Sequence, residues 1–375
     1  MKGAVIQAKA GIADGILNFL KEALDKGFFD ALLLPVRVPA GDSFSYILMR
    51  DTSLLDGAFP LPPVMPVQGA RALSSLTRYG KGTNRIAVLM RPCEIRAAIE
   101  LHKLDQVDLE NIFLLSVDCP GVLPLGDYIK DPRKGDALYE KVLQEWIIRS
   151  PRWACDICDK FSMPHSDAHF GILGAPESSL FVIPGTTKGK DFLESLDIEY
   201  HTSVKSWETK VQELTEEISK KREQTLQALS RDTRGPERLL GIFSKCINCH
   251  NCMRVCPICY CRQCYFDSDA LKLTPDNYLM RAQKKGALRF MPDTLLFQLG
   301  RMSHMGLSCV SCGTCEDACP MAIPVSRIFT LVADSMQEVF DYVAGRNPQD
   351  PLPQIVYKEE ELKEVEKAYI ETYNK

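Results

Sequence analysis

Two cysteine runs in the last third of the chain have the spacing of iron–sulfur ligands. Cys246, Cys249, Cys252 and Cys256-Pro257 read C-x2-C-x2-C-x3-C-P, and Cys309, Cys312, Cys315 and Cys319-Pro320 repeat the pattern. Two-residue gaps let one turn of backbone present three sulfurs to three irons of a cube. The fourth cysteine of each run reaches the other cube, and the proline ends the loop. The spacing predicts two [4Fe–4S] clusters, one on Cys246, Cys249, Cys252 and Cys319, the other on Cys309, Cys312, Cys315 and Cys256. Zinc is the competing reading, but it takes two CxxC pairs rather than a triplet with a distant fourth ligand. Cys259, Cys261 and Cys264 follow the first run in PICYCRQC. Three thiols are one short of a cube, so they are either packing thiols or an extra metal site with a borrowed ligand.

The chain holds fifteen cysteines in 375 residues, four of them between 93 and 158 and eleven between 246 and 319. Lys9, Gly11 and Asp14 interrupt the N-terminus before an export-type apolar stretch could form, and no 18-residue apolar run follows. These features predict a cytoplasmic chain without a transmembrane segment, whose cysteines are metal ligands rather than disulfides. A net charge of −4 argues against nucleic acid as the main partner. There is no G-x-G-x-x-G after a strand, no P-loop and no Ser–His–Asp signature, so neither a Rossmann dinucleotide site nor nucleotide hydrolysis is supported.

The other four cysteines need a scaffold. Residues 14 to 26 have helical apolar spacing with Gly27 as a stop, and 28 to 36 form an apolar run suited to a buried strand. A proline-rich loop (59 to 67) precedes a helical stretch from Ala70 to Tyr79. Strands at 84 to 90 and 111 to 117 flank a helix at 95 to 104, giving an α/β order. Cys93 then follows one strand and Cys119 another, at what can be the same carboxyl edge of a parallel sheet, where ligands usually bind. Cys155 and Cys158, a CxxC pair, could complete four thiolates. Residues 137 to 149 read as helix and 178 to 184 as strand. From Ser203 to Leu229, Val204, Trp207, Val211, Leu214, Ile218, Thr225 and Leu229 step by threes and fours along one amphipathic helix. That helix lies on its own domain or docks a partner. His165 and His169 are spaced i, i+4, but Pro164 disfavours a helix that would align them; they are read as loop residues, with a metal or proton-transfer role as the alternative, and His250 as a donor to sulfur or a solvent-facing side chain.

IAVLMRPCEIRAAIELHKL, IFLLSVDC and ACDICDKFSMPHSDAHFGILG resemble the beta-subunit family of F420-reducing hydrogenases and formate dehydrogenases. The shared pattern is a strand ending in Pro-Cys, a strand ending in Cys, and CxxC-Asp followed by Ala-Asp and Gly-x-x-Gly. The C-terminal half adds a helical dicluster ferredoxin, in the order of sulfhydrogenase beta subunits. The resemblance implies that Cys93, Cys119, Cys155 and Cys158 hold a third [4Fe–4S] cluster, with a flavin (FAD) nearby.

The expected architecture is an α/β N-terminal domain (1–200), a linker helix (201–239), a mainly α-helical dicluster ferredoxin domain (240–335) and an extended docking tail (336–375). The expected function is an iron–sulfur electron-transfer subunit of a multi-subunit oxidoreductase, working with other redox subunits. The alternative is a flavin-containing subunit that exchanges hydride with F420 or a similar carrier. No acid–base catalytic constellation stands out.

Overall fold

The structure is a computed structural model, and it describes residues 1–145, 152–261, 263–269, 274–286 and 294–356. Eight strands form one sheet: β1 (Lys2–Gln7), β2 (Ala31–Arg37), β3 (Phe44–Met49), β4 (Ile86–Met90), β5 (Ile112–Val117), β6 (Ala168–Gly171), β7 (Ser179–Pro184) and β8 (Thr202–Ser203). Their order is β3-β2-β4-β5-β6-β7-β1-β8. The central strands β2, β4, β5 and β6 run parallel, and the outer pairings are antiparallel. The α/β expectation holds for the N-terminal part, and helices follow it.

Both faces of the sheet are covered, which explains the nearly continuous apolar strands. Side chains alternate faces along a strand, so Leu32, Leu34, Ala87 and Leu89 enter one core while Leu33, Val88 and Met90 enter the other. The helix Ile12–Asp25 lies on the first face, and its Phe19 meets Phe170 and Phe192 edge-on. Gly27 takes the left-handed conformation (φ +70°) and ends the helix as expected. The strand expected at 28 begins instead at Ala31, because Phe28 and Phe29 turn into an aromatic cluster with Phe113 and Phe192. The helix expected at 95 begins at Pro92. Proline suits the first helical turn, and the Glu94 carboxylate turns back to accept a hydrogen bond from Arg91 N at 2.9 Å.

The stretch read as helix at 137 to 149 belongs to a helix Pro132–Glu145; residues 146–149 lie outside the described residues. The long helix spans Lys205–Thr233 and lies on its own chain. Trp207 and Ile218 pack with Phe161, Phe181 and Ile183 on the sheet. Further along, Arg222 pairs with Asp334 of the helix Val325–Val339 at 2.6 Å.

The remaining helices include Pro236–Phe243, Thr294–Met305 and Val325–Val339, and they share a core with the second face of the sheet. Phe243, Phe297, Met302 and Phe329 belong to one cluster with Ile95, Ile99 and Leu114. The chain then folds back onto the Pro92–Lys103 helix. Gly345 N donates to the buried Glu100 carboxylate at 2.7 Å, and Arg96 Nε donates to Ala344 O at 2.9 Å. Tyr342, Ala344 and Leu352 are buried there, so the first part of the expected tail lies on its own chain; 357–375 lie outside the described residues.

Gly345 has φ +70°, and a Cβ there would fall 2.2 Å from Arg96 O. Gly345→Ala combines left-handed strain with backbone overlap and should cost about 2–3 kcal/mol. Thermal unfolding followed by circular dichroism checks this. An unchanged midpoint would mean that the segment moves off the helix without penalty.

Candidate functional site

The register of the parallel sheet aligns the first two N-terminal cysteines. Met90 of β4 pairs with Ser116 of β5, and Cys93 and Cys119 each lie three residues further on. Cys93 sits in the first turn of the Pro92–Lys103 helix, Cys119 in the loop after β5. Cys155 belongs to a one-turn helix, Trp153–Asp156, and Cys158 N donates to Cys155 O at 3.2 Å. Cys119 N donates to Phe161 O at 2.9 Å, tying the two loops together. Cys93, Cys119, Cys155 and Cys158 line one hollow, joined there by Cys312 from the second C-terminal run.

Behind this cage the Asp118 carboxylate is a buried anchor. It accepts from Ser162 Oγ (2.6 Å), Trp207 Nε1 (2.8 Å) and Ile172 N (2.8 Å), and pairs with His169 Nε2 (2.9 Å). Burial works to raise its pKa, but His169 and these donors outweigh burial and hold it below the usual carboxylate range. His169 is therefore a buried residue of β6 rather than a loop residue, while His165 is exposed.

Burial makes three thiols of the cage, Cys93, Cys155 and Cys158, resist ionisation. Burial pushes Cys93 well above its ordinary value, with Glu94 and Cys312 adding to the effect. Burial and then Cys155 push Cys158 up to about 12. Arg91 Nη1 donates to Cys119 Sγ at 3.0 Å. Among the described residues no three Cys, His, Asp or Glu are gathered closely enough to hold a single metal ion; the four thiols instead ring an open space. This donor set fits an iron–sulfur core, whose irons bring the positive charge that buried thiolates need and which accepts N–H donors at sulfur.

The two C-terminal runs fold alike. Asn248 and Ser311, each just before the second cysteine of its run, have positive φ (54° and 56°). His250 and Gly313, each just after it, do too (61° and 78°). Short helices follow at equivalent places, Asn251–Arg254 and Thr314–Asp317. The thiol charges acting on Cys252 are those of Cys246, Cys319 and Cys249. Those acting on Cys315 are Cys256, Cys312 and Cys309. Cys319 thus lies within electrostatic reach of Cys252 of the first triplet, and Cys256 within reach of Cys315 of the second. Ile323 N donates to Cys319 Sγ at 3.4 Å, and Arg301 Nη1 to the buried Cys252 Sγ at 3.1 Å.

Cys259, Cys261 and Cys264 do not gather. Cys259 lies against Met305 Sδ (2.8 Å) and bonds the Cys256 thiol, Cys264 lies 3.8 Å from Met253 Sδ, and Cys261 is exposed. His250 does not reach a sulfur. Its ring stacks on Phe297 with centroids 4.2 Å apart, and its nitrogens face Asn248 and Asp267.

The three cages adjoin. Besides Cys312 in the N-terminal hollow, Arg152 pairs with Asp317 at 3.0 Å, joining the loop before Cys155 to the second run. A Cβ at Gly313 would meet Ala154 Cβ at 2.6 Å, so only glycine lets the loops approach this closely. Sequence reasoning missed Arg91, Arg152, Arg301 and Asp118. Arg91, directly before Pro92-Cys93, and Asp118, directly before Cys119, carry a positional hint; Arg152 and Arg301 carry none.

Residues 242–323 match the family model of the 4Fe-4S dicluster domain. Two curated proteins are similar to the chain. The F420-dependent formate dehydrogenase 1 subunit beta of Methanococcus maripaludis is 27% identical over 92% of this chain and 94% of that protein. The F420-dependent formate dehydrogenase subunit beta of Methanocaldococcus jannaschii is also 27% identical, over 72% of this chain and 77% of the relative. A chain of the F420-reducing [NiFe] hydrogenase complex from Methanosarcina barkeri aligns at TM-score 0.46 and 14% identity, over 63% of this chain and 94% of that one. The likeness read from the sequence is thus found by comparison, and the C-terminal part is an iron–sulfur dicluster domain. No described helix is long and apolar enough to cross a membrane.

Proposed function

We propose that this chain, similar over most of its length to the beta subunits of F420-dependent formate dehydrogenases, is an electron-transfer subunit holding three [4Fe–4S] clusters in series. The adjacency of the cages carries the reading. The N-terminal cage of Cys93, Cys119, Cys155 and Cys158 shares its hollow with Cys312. The cage of Cys309, Cys312, Cys315 and Cys256 therefore stands in the middle, and the cage of Cys246, Cys249, Cys252 and Cys319 at the far end. The bound clusters would supply one-electron carriers. The chain's own residues hold them, keep water out, and donate N–H groups from Arg91, Arg301 and Ile323 to sulfur. None of the fifteen cysteines is paired in a disulfide, which suits a reducing cytoplasm. The partners on this reading are a catalytic dehydrogenase or hydrogenase subunit at one end and a second redox subunit at the other.

The names of the relatives favour a second reading, in which a flavin beside the N-terminal cage exchanges hydride with F420 or a similar carrier. Against it, Met90 fills the end of β4, so close to Gly69 that a Cβ there would lie 2.8 Å from its sulfur. A flavin needs open backbone at such a place. One preparation separates the two readings. Anaerobic protein on the first reading has iron–sulfur absorbance, releases no stoichiometric flavin with acid, and gives spin-coupled electron paramagnetic resonance when fully reduced. One flavin per chain, with reduction of the chain by reduced F420, would establish the second reading instead. Three additive, uncoupled signals would sink the series arrangement.

A further inference from the structure

We infer that two buried arginines, Arg152 and Arg301, occupy the two gaps between the three thiol cages and set the potentials of the carriers on either side of each gap. The inference rests on the three-cluster reading above. Arg152 is 4% exposed and lines the hollow of the N-terminal cage together with Cys312 of the middle one. It stands against the Gly313 loop, where an added Cβ would be 3.1 Å from its guanidinium. Arg301 is 2% exposed and fills the other gap. It holds Cys252 of the far cage through both Sγ and O, each at 3.1 Å. The charges of Cys256 and Cys315 of the middle cage also act on it. The Phe329 ring, 4.6 Å away, and Phe297, 5.6 Å away, fix its plane.

A guanidinium stays protonated in a protein, so each gap holds a permanent positive charge in a medium that screens weakly. Reduction adds negative charge to a carrier, and a nearby cation favours that form and raises the potential. The two gaps differ in one respect. Arg301 faces sulfur, a carbonyl and two rings, whereas Arg152 is paired with the Asp317 carboxylate at 3.0 Å. The field of Arg152 is therefore partly cancelled, and Asp317 is the group that cancels it.

The test is redox titration of the full, anaerobically purified chain, followed by electron paramagnetic resonance, with iron measured in every sample. Arg301→Gln should lower the potentials of the far and middle carriers by roughly a factor of ten in the oxidised-to-reduced ratio, about 59 mV for a one-electron couple, and leave the N-terminal carrier unmoved. Arg301→Lys keeps the charge and should retain most of the potential. Arg152→Gln should lower the N-terminal and middle carriers. Asp317→Asn should raise the same two, so one ion pair gives shifts of opposite sign. At full iron content, unmoved potentials, a uniform shift of all three, or shifts of one sign from Arg152→Gln and Asp317→Asn would overturn the inference. An unaltered chain with iron for only two clusters would instead overturn the three-cluster reading. Should Arg152→Gln lose iron, Asp317→Asn still decides for that gap, by the presence or absence of its upward shift; should Arg301→Gln lose iron, Arg301→Lys decides for the other, a shift confined to the far and middle carriers supporting the inference and none overturning it.

Discussion

Changing Cys155 to serine should take the anaerobic chain from about twelve irons and twelve sulfides to about eight of each. The expectation rests on how the N-terminal cage is built. Two of its thiols stand just past the ends of adjacent parallel strands, and the other two belong to a segment hydrogen-bonded to them through Cys119 N and Phe161 O. A serine oxygen is a poor substitute for thiolate at iron. Its loss should leave the C-terminal cages intact, because their eight cysteines come from other loops. The sheet should survive too, since its core does not include Cys155. Iron and acid-labile sulfide analysis, set beside the circular dichroism spectrum, checks both statements. Unaltered protein carrying about eight irons would remove the N-terminal cluster from the account. A Cys155→Ser chain that keeps about twelve would remove Cys155 from its ligands.

The second large effect is expected at Cys319. It is the last cysteine of the second run, but its charge acts on Cys252 of the first. Cys319→Ala should therefore abolish or convert the signal of the cluster on the first run and spare the one held by Cys309, Cys312 and Cys315. Cys256→Ala should do the reverse. Cys256 already differs from its neighbours: a hydrogen bond from the Cys259 thiol and the charge of Arg301 hold its pKa below the ordinary thiol value, against the opposing effect of burial. Assigning the signals requires one marker variant in each run, Cys249→Ser and Cys312→Ser. If Cys319→Ala removes the same signal as Cys312→Ser, ligation is not crossed and the likeness of the two loops is only one of backbone shape.

The cysteine runs were legible because metal ligation fixes spacing along the chain, and the strands before Cys93 and Cys119 because buried parallel strands are almost unbroken apolar runs. Three kinds of feature were not. The short strands β1, β6 and β8 are written in mixed residues and exist through their neighbours, so no local pattern announces them. His169 reads as loop in the sequence because a four-residue strand leaves too short a pattern, and its partner Asp118 lies fifty-one positions away. The arginines beside the cages are single residues whose partners lie far off in sequence, as Arg152 and Asp317 do. Pairings of that kind leave no trace in composition or periodicity. The helix from Lys205 was clear as a helix, but only Trp207 and Ile218 against the sheet say what it covers.

The common core beneath the sheet and the C-terminal helices bears on how the protein is made. Glu100 is joined to Gly345 across 245 positions, so the ribosome must release nearly the whole chain before that contact can close. Long-range closure of this kind is slow. The N-terminal hollow is walled in part by Cys312, so its wall is incomplete until the late segment arrives. Metal binding and folding are coupled wherever ligands assemble only in the native state. On the three-cluster reading, maturation is therefore expected to be ordered: iron and sulfide would reach the N-terminal thiols while the nascent chain is open, and the closing of the C-terminal half would complete the wall around them.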